Sequence, residues 1–407
     1  MSVPGLQASA RRVLYLDGYT VPPEQIGVTG VALSSDAIGY GITASTAIRK
    51  GLRAGGWHIV RPEITVPSDR DQRAARLRWL LSSYDGVLDV LSESPPDAVF
   101  SFHAFSAFPV EIRRIMLDLG LDLPLVGYTH GSHWDPTDAF RFEAYPRMEL
   151  LDLANLHVLD CVFLVSEYMR ATLRRTISAF NAPLARSLDA RCEVVGLPLD
   201  VERIDACRTD EHSARVTVVF NHAPVASKNP ELFVRVMRRV LPRYDVQVLF
   251  TRRFPPTQPG GAGVAALAAD FPEQVLLGNN MPLPDYYRAL WMAELQVSTA
   301  THESLGVSTL EAMHTGTCCI VPRIGSYPEI TGEHQDALYD PGAAQLEERL
   351  TYFLEHPAQR QAVAADLQRA AARYTPAVVV RRIADVLDAL VLRPSQGSKA
   401  HSDAPTP

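Results

Sequence analysis

Glu303 and Glu311 stand eight positions apart in THESLGVSTLEAMHTG (301–316), a stretch otherwise small and apolar. A helix beginning near Gly306, which Ser308, Thr309, Leu310, Ala312 and Met313 allow, leaves Glu303 in the entering loop and puts Glu311 on the second turn. With a rise of about 1.5 Å and a turn of about 100° per residue, both acids can face the space at the helix N-terminus. Backbone N–H groups and the helix dipole favour an anion there. The plainer alternative is one solvated acid and one capping acid.

A cation has a comparable setting in VVFNHAPVASKNPELF (218–233). A strand gives way to a polar loop opened by Asn221 and His222, and Lys228 precedes Pro230, a residue suited to a helix's first turn. Of 39 basic residues only Lys50, Lys228 and Lys399 are lysine, so each invites a question in a chain that otherwise uses arginine. A lysine and a histidine beside a helix N-terminus can hold a diphosphate through charge and hydrogen bonds; a solvated loop lysine is the alternative. In YTHGSHW (128–134), His130 and His133 follow another strand. Imidazoles there can donate to a sugar hydroxyl or a phosphate oxygen, and one functional and one structural histidine are expected. His103 lies in FSFHAF, whose aromatic flanks suggest a core or supporting role. DAIGYGITAS (36–45) sets Gly39 and Gly41 ahead of a helix without forming GxGxxG, so the dinucleotide fingerprint is absent. The glycines either let a substrate approach the backbone or make a plain turn.

These residues need elements to position them. VLYLDGY (13–19), WHIVRPEI (57–64), AVFSFHA (98–104), LPLVGYTH (123–130), VFLVS (162–166) and CEVVGLP (192–198) read as strands separated by helix-length segments, such as ASTAIRKGLRAGG (44–56). The pattern restarts with RVTVVFNH (215–222), VQVLFT (246–251), QVLLGN (274–279), ELQVSTA (294–300) and CCIVP (318–322). Alternating strands and helices predict βαβ units on parallel sheets. The expected organisation is one domain over 1–205, a second over 206–375, a helix at 376–392 and a disordered tail at 393–407, with FPPTQPGGAGVAA (254–266) as a loop. Ligands of such sheets sit at the carboxyl ends of strands, where the residues singled out above fall.

At 407 residues the chain exceeds one ordinary core. It holds no run of about 18 apolar residues and its first residues lack a signal-peptide core, so no membrane span and a cytoplasmic location are expected. Five cysteines without CxxC or Cys/His spacing support neither a disulfide framework nor structural zinc. A net charge of −7 argues against a broad nucleic-acid surface, which makes small-molecule partners the expectation.

VVFNHAPVASKNPELF, LPDYYRALWMAELQVSTATHESLGVSTLEAMHTG and YPEI together resemble the C-terminal domain of retaining GT-B glycosyltransferases of the glycogen-synthase-like superfamily. NH…KNPE with STATHE…LGVSTLEA and YPEI is nearer still to the tRNA-queuosine mannosyltransferase-like branch, over roughly residues 215–331. The resemblance implies an α/β GT-B architecture: two Rossmann-like doubly wound domains facing across a cleft, with the last helix packing back on the N-terminal domain. It implies that Lys228 binds a donor diphosphate, Glu303 the donor sugar and Glu311 the nucleotide ribose. Asn221 and His222 border the donor, amides of Ser304, Leu305, Gly306 and Val307 meet sugar and phosphate, and His130 joins Glu303 and Lys228 in catalysis. Gly39, Gly41 and His133 fall to the acceptor or sugar. The superfamily usually has an arginine in the loop before the lysine; here Asn221, His222 and Ala223 stand there, and His222 or Arg252 and Arg253 are the candidate replacements.

The activity so implied is transfer, with retention and without metal or cofactor, from a GDP- or UDP-linked sugar to a small polar acceptor. Bacterial secondary metabolism, including antibiotic biosynthesis, is the expected setting, and a homodimer is compatible. The alternatives are a tRNA acceptor and a GT-B sugar-nucleotide epimerase.

Overall fold

The structure, a computed structural model, describes residues 11–17, 40–64, 72–104, 108–138, 148–211 and 213–393. Gly39, Lys399 and the tail from 394 lie outside them, so the expectations for a Gly39 loop and a disordered tail are not addressed.

Six parallel strands form the first sheet: β1 (Arg12–Leu16), β2 (His58–Val60), β3 (Ala98–Ser101), β4 (Leu125–Thr129), β5 (Cys161–Leu164) and β6 (Cys192–Val194), in the order β2-β1-β3-β4-β5-β6. Their connections include α1 (Tyr40–Ala54), α2 (Gln72–Glu93), α3 (Phe108–Asp118), α4 (Met148–His157) and α5 (Glu167–Asp189). After the short α6 (Val201–Asp205) come β7 (Val216–Phe220), α7 (Pro230–Val240), β8 (Val246–Phe250), α8 (Gly261–Asp270), β9 (Val275–Leu277), α9 (Leu283–Met292), β10 (Leu295–Val297), α10 (Val307–His314), β11 (Cys318–Pro322), α11 (Tyr327–Ile330) and β12 (Leu338–Tyr339). The second sheet runs β12-β11-β10-β7-β8-β9, also parallel throughout. β1, β3, β4, β5 and β11 are buried along almost their whole length, on both faces, which is why they read as near-continuous apolar runs.

Strand order reverses between β1 and β3 in the first sheet and between β7 and β10 in the second. At such a reversal the connections diverge to opposite faces and leave a crevice at the carboxyl ends. The loops carrying Lys228 and Glu303 flank the second crevice.

The chain ends with α12 (Ala343–Glu355), α13 (Pro357–Ala371) and α14 (Pro376–Val391). As expected, α14 returns to the first domain and lies on α1. A Cβ added at Gly51 of α1 would come within 2.7 Å of Val380 of α14. The Trp57 indole donates to Asp388 at 3.1 Å, and Arg11 pairs with the same carboxylate at 2.5 Å.

Two local expectations are corrected. Gly41 is not in a loop ahead of the helix but inside the first turn of α1, where the N–H groups have no intrahelical acceptor and glycine costs little. The last part of the supposed 254–266 loop, residues 261–266, is helical and opens α8. Gly260 adopts φ +74, and a Cβ on Gly261 would meet the Pro255 carbonyl oxygen, so glycines that weaken a helix on propensity are here needed for its entry.

Candidate active site

Two loops from opposite sides of the β7/β10 crevice are tied together before any charged contact is made. Thr299 Oγ donates to the Lys228 carbonyl at 2.8 Å and the Asn229 carbonyl at 2.9 Å, and Thr301 N–H donates to the Ser227 carbonyl at 2.8 Å. Asn229 takes a left-handed conformation at φ 44, which ends the turn at Ala226–Lys228 and lets Pro230 start α7. The ammonium of Lys228 thereby reaches Glu303 and forms an ion pair whose side chains are 20% and 12% exposed.

Glu303 is also held through its backbone. Its carbonyl accepts from Ser326 N–H at 3.1 Å and from Ser326 Oγ at 3.3 Å, and its carboxylate accepts from Tyr327 OH at 3.3 Å. Gly325 has φ +54 and lies so close that a Cβ there would be 2.3 Å from the Glu303 carbonyl oxygen. YPEI thus forms the floor under the first acid.

Gly306, at φ +86, opens α10, and no side chain caps that end. Glu311 falls on the second turn, as its spacing predicts, with different partners from Glu303. Tyr286 OH donates to its carboxylate at 2.7 Å and Tyr287 OH at 3.2 Å. Burial raises the Glu311 pKa, and the two phenols and Arg252 oppose that rise. Asn221 donates to the Ser308 carbonyl at 2.8 Å and to Tyr286 OH at 3.2 Å, fastening the β7 end to the start of α10. His222 is buried; Gln296 donates to its Nε2 at 3.3 Å, and its Nδ1–H donates to Ser308 Oγ at 3.2 Å. Burial, then Lys228 and Arg252, push its pKa well below the ordinary histidine value. The ring is neutral and both nitrogens are engaged.

The first domain brings the end of β4 against this wall. Ser304 Oγ donates to the His130 carbonyl at 2.9 Å, and Ser166 Oγ, the cap of α5, donates to the Ser304 carbonyl at 2.6 Å. His130 Nε2–H donates to the Phe102 carbonyl at 2.8 Å, which makes Nδ1 the accepting nitrogen. Burial and the neighbouring His103 lower the His130 pKa to about 3, and burial lowers that of His103 to about 4. The His130 ring stacks on Tyr128 with centroids 5.1 Å apart and meets His103 at 4.8 Å. His133 is engaged inside its own domain. Its Nδ1 contacts Asp152 of α4 at 2.5 Å, and its N–H donates to the same oxygen at 3.0 Å. Burial raises the Asp152 pKa to about 6 against the opposing pull of His133.

Several side chains that the sequence does not single out join the domains here. His302 Nδ1 contacts Thr137 Oγ at 2.8 Å, and its ring lies 3.8 Å from Asp135 and 3.7 Å from Asp138. Tyr168 OH donates to Asp135 at 3.0 Å, and Glu329 of YPEI accepts from Tyr168 N–H at 3.3 Å across the domain boundary. Asp135-Pro-Thr137 is a turn-forming pattern and Ser166 a capping residue by type, yet neither signal names a partner in the other domain. The paired Tyr286 and Tyr287 could have been noticed as buried hydroxyls needing an acceptor. Of the other lysines, Lys50 makes an exposed 3.3 Å pair with Glu202. Among the described residues no three His, Cys, Asp or Glu side chains are grouped as a metal ion would require, and no helix is long and apolar enough to cross a membrane.

The family described as glycosyl transferases group 1 matches residues 260–370, which include Glu303, Glu311 and YPEI. Among solved structures, sucrose-phosphate synthase from Thermosynechococcus elongatus is similar at 15% identity and a TM-score of 0.69, covering 93% of this chain and 99% of that one. Anabaena HepE, solved in complex with UDP and glucose, is similar at 15% identity and a TM-score of 0.62, covering 93% and 100%. The lipopolysaccharide outer core galactosyltransferase WaaB in its apo form gives 13% identity and a TM-score of 0.62, covering 93% and 99%. With two parallel six-stranded sheets in facing domains, matched along nearly the whole of these chains, the protein has the GT-B fold.

Proposed function

We propose that the protein is a glycosyltransferase that moves a sugar from a nucleoside diphosphate sugar, GDP- or UDP-linked, to a small polar acceptor with retention of configuration and without a metal ion. The observation that carries this reading is the meeting of Lys228 and Glu303 across the β7/β10 crevice, beside the uncapped start of α10. That crevice offers a cation, a helix N-terminus and an acid in the order a diphosphate and its sugar would need. The group 1 match over 260–370 and the UDP and glucose bound by HepE support the same assignment.

In this mechanism the bond between the anomeric carbon and the diphosphate oxygen breaks, and its electron pair leaves with the phosphate. Lys228 and the N–H groups at the start of α10 offset the charge that develops, as preorganised donors do without a metal. Glu303 lies by the sugar, where positive charge grows on the ring, and Glu311 receives the ribose hydroxyls. The acceptor hydroxyl attacks on the face the diphosphate leaves and gives its proton to the departing phosphate oxygen. His130, neutral and accepting at Nδ1, takes a hydrogen bond from a sugar hydroxyl and moves no proton.

Melting temperature against a panel of nucleoside diphosphates tests the donor site, since a ligand at about 100 times its dissociation constant stabilises by about 2.7 kcal/mol. An unchanged melt with GDP, UDP, ADP and TDP would overturn the assignment. Tight, strongly salt-dependent binding of bulk tRNA would move the acceptor from a small molecule to RNA. Epimerised donor formed without any acceptor would replace transfer by epimerisation.

A further inference from the structure

Glu303 belongs to the second domain, yet the residues on either side of it in the chain bond to the first. Ser304 Oγ donates to the His130 carbonyl at 2.9 Å, and the Ser304 carbonyl accepts from Ser166 Oγ at 2.6 Å. On the other side, His302 sets its ring against the 135–138 turn that follows β4. The floor beneath Glu303 is tied across as well, because Glu329 of YPEI accepts from the backbone N–H groups of Glu167 and Tyr168 at the start of α5.

The His302 contact has a defined direction. The Thr137 hydroxyl gives its one proton to Asp135 at 2.8 Å, so towards His302 Nδ1, also at 2.8 Å, it accepts, and the imidazole carries Nδ1–H. Thr137 N–H at 2.9 Å and Tyr168 OH at 3.0 Å donate to Asp135 in turn. Asp138 stands 3.7 Å from Nε2 and is itself fastened by Ser132 N–H at 3.2 Å. The ring is 10% exposed and the two carboxylates 8% and 6%, so His302 fills a formed socket. The transfer chemistry uses none of these groups. An acid that answers charge growing on a sugar ring does need a fixed backbone, since a misplacement of about 1 Å costs about 100-fold in rate. We propose that His302 is a positioning residue for Glu303. Docked in the 135–138 socket, it fixes the loop from one side as Ser304 fixes it from the other, and the acid takes its place at the sugar only when the two domains meet. This rests on the donor-site reading above. Its consequence is an order of events: the Lys228 loop and the start of α10 hold the diphosphate within the second domain, and the sugar is engaged once the socket is filled.

Isothermal titration of the full chain tests it by comparing sugar nucleotides with their free diphosphates: UDP-glucose, UDP-galactose and UDP-N-acetylglucosamine against UDP, and GDP-mannose against GDP. The probe is the pair whose ratio of dissociation constants moves most in Glu303→Gln. With that pair, His302→Ala and Thr137→Val should each weaken the sugar nucleotide about 3- to 10-fold, as for one lost hydrogen bond, and the diphosphate less than about twofold. His302→Asn, whose amide N–H stands in for Nδ1–H, should recover part of the loss. In a Glu303→Gln background His302→Ala should add nothing, because it acts through that acid. Melting curves check that each variant folds. A ratio within about twofold of wild type in both His302→Ala and Thr137→Val overturns the proposal. So does a loss that persists in full beside Glu303→Gln, or one that falls equally on sugar nucleotide and diphosphate, as a merely structural contact would give. If no pair responds to Glu303→Gln, the donor reading loses its sugar site and this inference falls with it.

Discussion

Lys228 and Glu303, at the β7/β10 crevice, hold each other as opposite charges, whereas His103 and His130, at the ends of β3 and β4, sit among aromatic rings and are kept neutral. The second domain prepares its crevice with charge, phenols and an open helix end. The first prepares its histidine pair with rings and carbonyls, and commits its acid Asp17 to Arg49, Arg61 at 2.7 Å and Ser45 at 2.5 Å. The difference matches the proposed function, in which one wall takes an anion and the other a neutral, hydroxylated ring.

The largest effect that would break this comparison is at its charged member. Lys228→Ala should remove nearly all activity, and Lys228→Arg most of it, because a wider planar fork misplaces the donors while keeping the charge. Since Lys228→Ala strands a largely buried acid, it should also cost up to about 3 kcal/mol of stability. Pairing it with Glu303→Gln should restore the melting temperature but not turnover. Near-wild-type turnover of Lys228→Ala would show that the pair serves only the fold.

The two acids should separate by kinetic signature. Glu303→Gln should chiefly lower kcat, and Glu311→Gln chiefly raise the donor KM, each by about 10- to 150-fold for a lost charge-assisted bond. Changes below twofold in kcat/KM for both would leave Glu303 a structural partner of Lys228 and Glu311 one of Tyr286 and Tyr287. Gly325→Ala, which drives a Cβ into the Glu303 carbonyl at a left-handed φ, should cost about 1–3 kcal/mol and lower kcat without any change of a charged group.

The neutral wall makes a pH prediction of defined sign. His103 and His130 have folded-state pKa values depressed by burial to about 4 and about 3, so between those values and the unfolded pKa the unfolded chain binds more protons. Their contribution is present above about pH 6.5, the unfolded histidine value, and is lost as pH falls from there towards 4 and 3. His103→Gln should flatten that part of a stability profile measured by chemical denaturation. Trp57→Phe should produce the smallest effect, about 1 kcal/mol, from loss of the bond to Asp388.

Much of the second domain was legible because its signals are local. The spacing of Glu303 and Glu311 about Gly306 is a helical spacing, and α10 puts them on the loop and the second turn as expected. That Lys228 finds Glu303, 75 residues later, was not legible, because it depends on β7 and β10 becoming neighbours in a sheet. The contacts of Ser166 with Ser304, Glu329 with Tyr168, and His302 with Thr137 join separate domains, and no short window of sequence contains both members. His133 shows the reverse difficulty: its position suited a substrate, but Asp152 is closer than any sequence pattern could say. Gly260 and Gly261 read as flexibility because propensity does not register that only a missing Cβ lets α8 pass Pro255.

The return of α14 to α1 bears on how the chain is made. Trp57 leaves the ribosome 331 residues before Asp388, which it bonds, and Gly51 likewise long before Val380, which covers it. At about 5–20 residues per second the delay is on the order of half a minute. Throughout it α1 keeps an apolar flank uncovered, so the first domain, though translated before the second, is completed after it. Such a nascent chain is one for which a chaperone, holding that flank until its own C-terminal helix arrives, would change the yield.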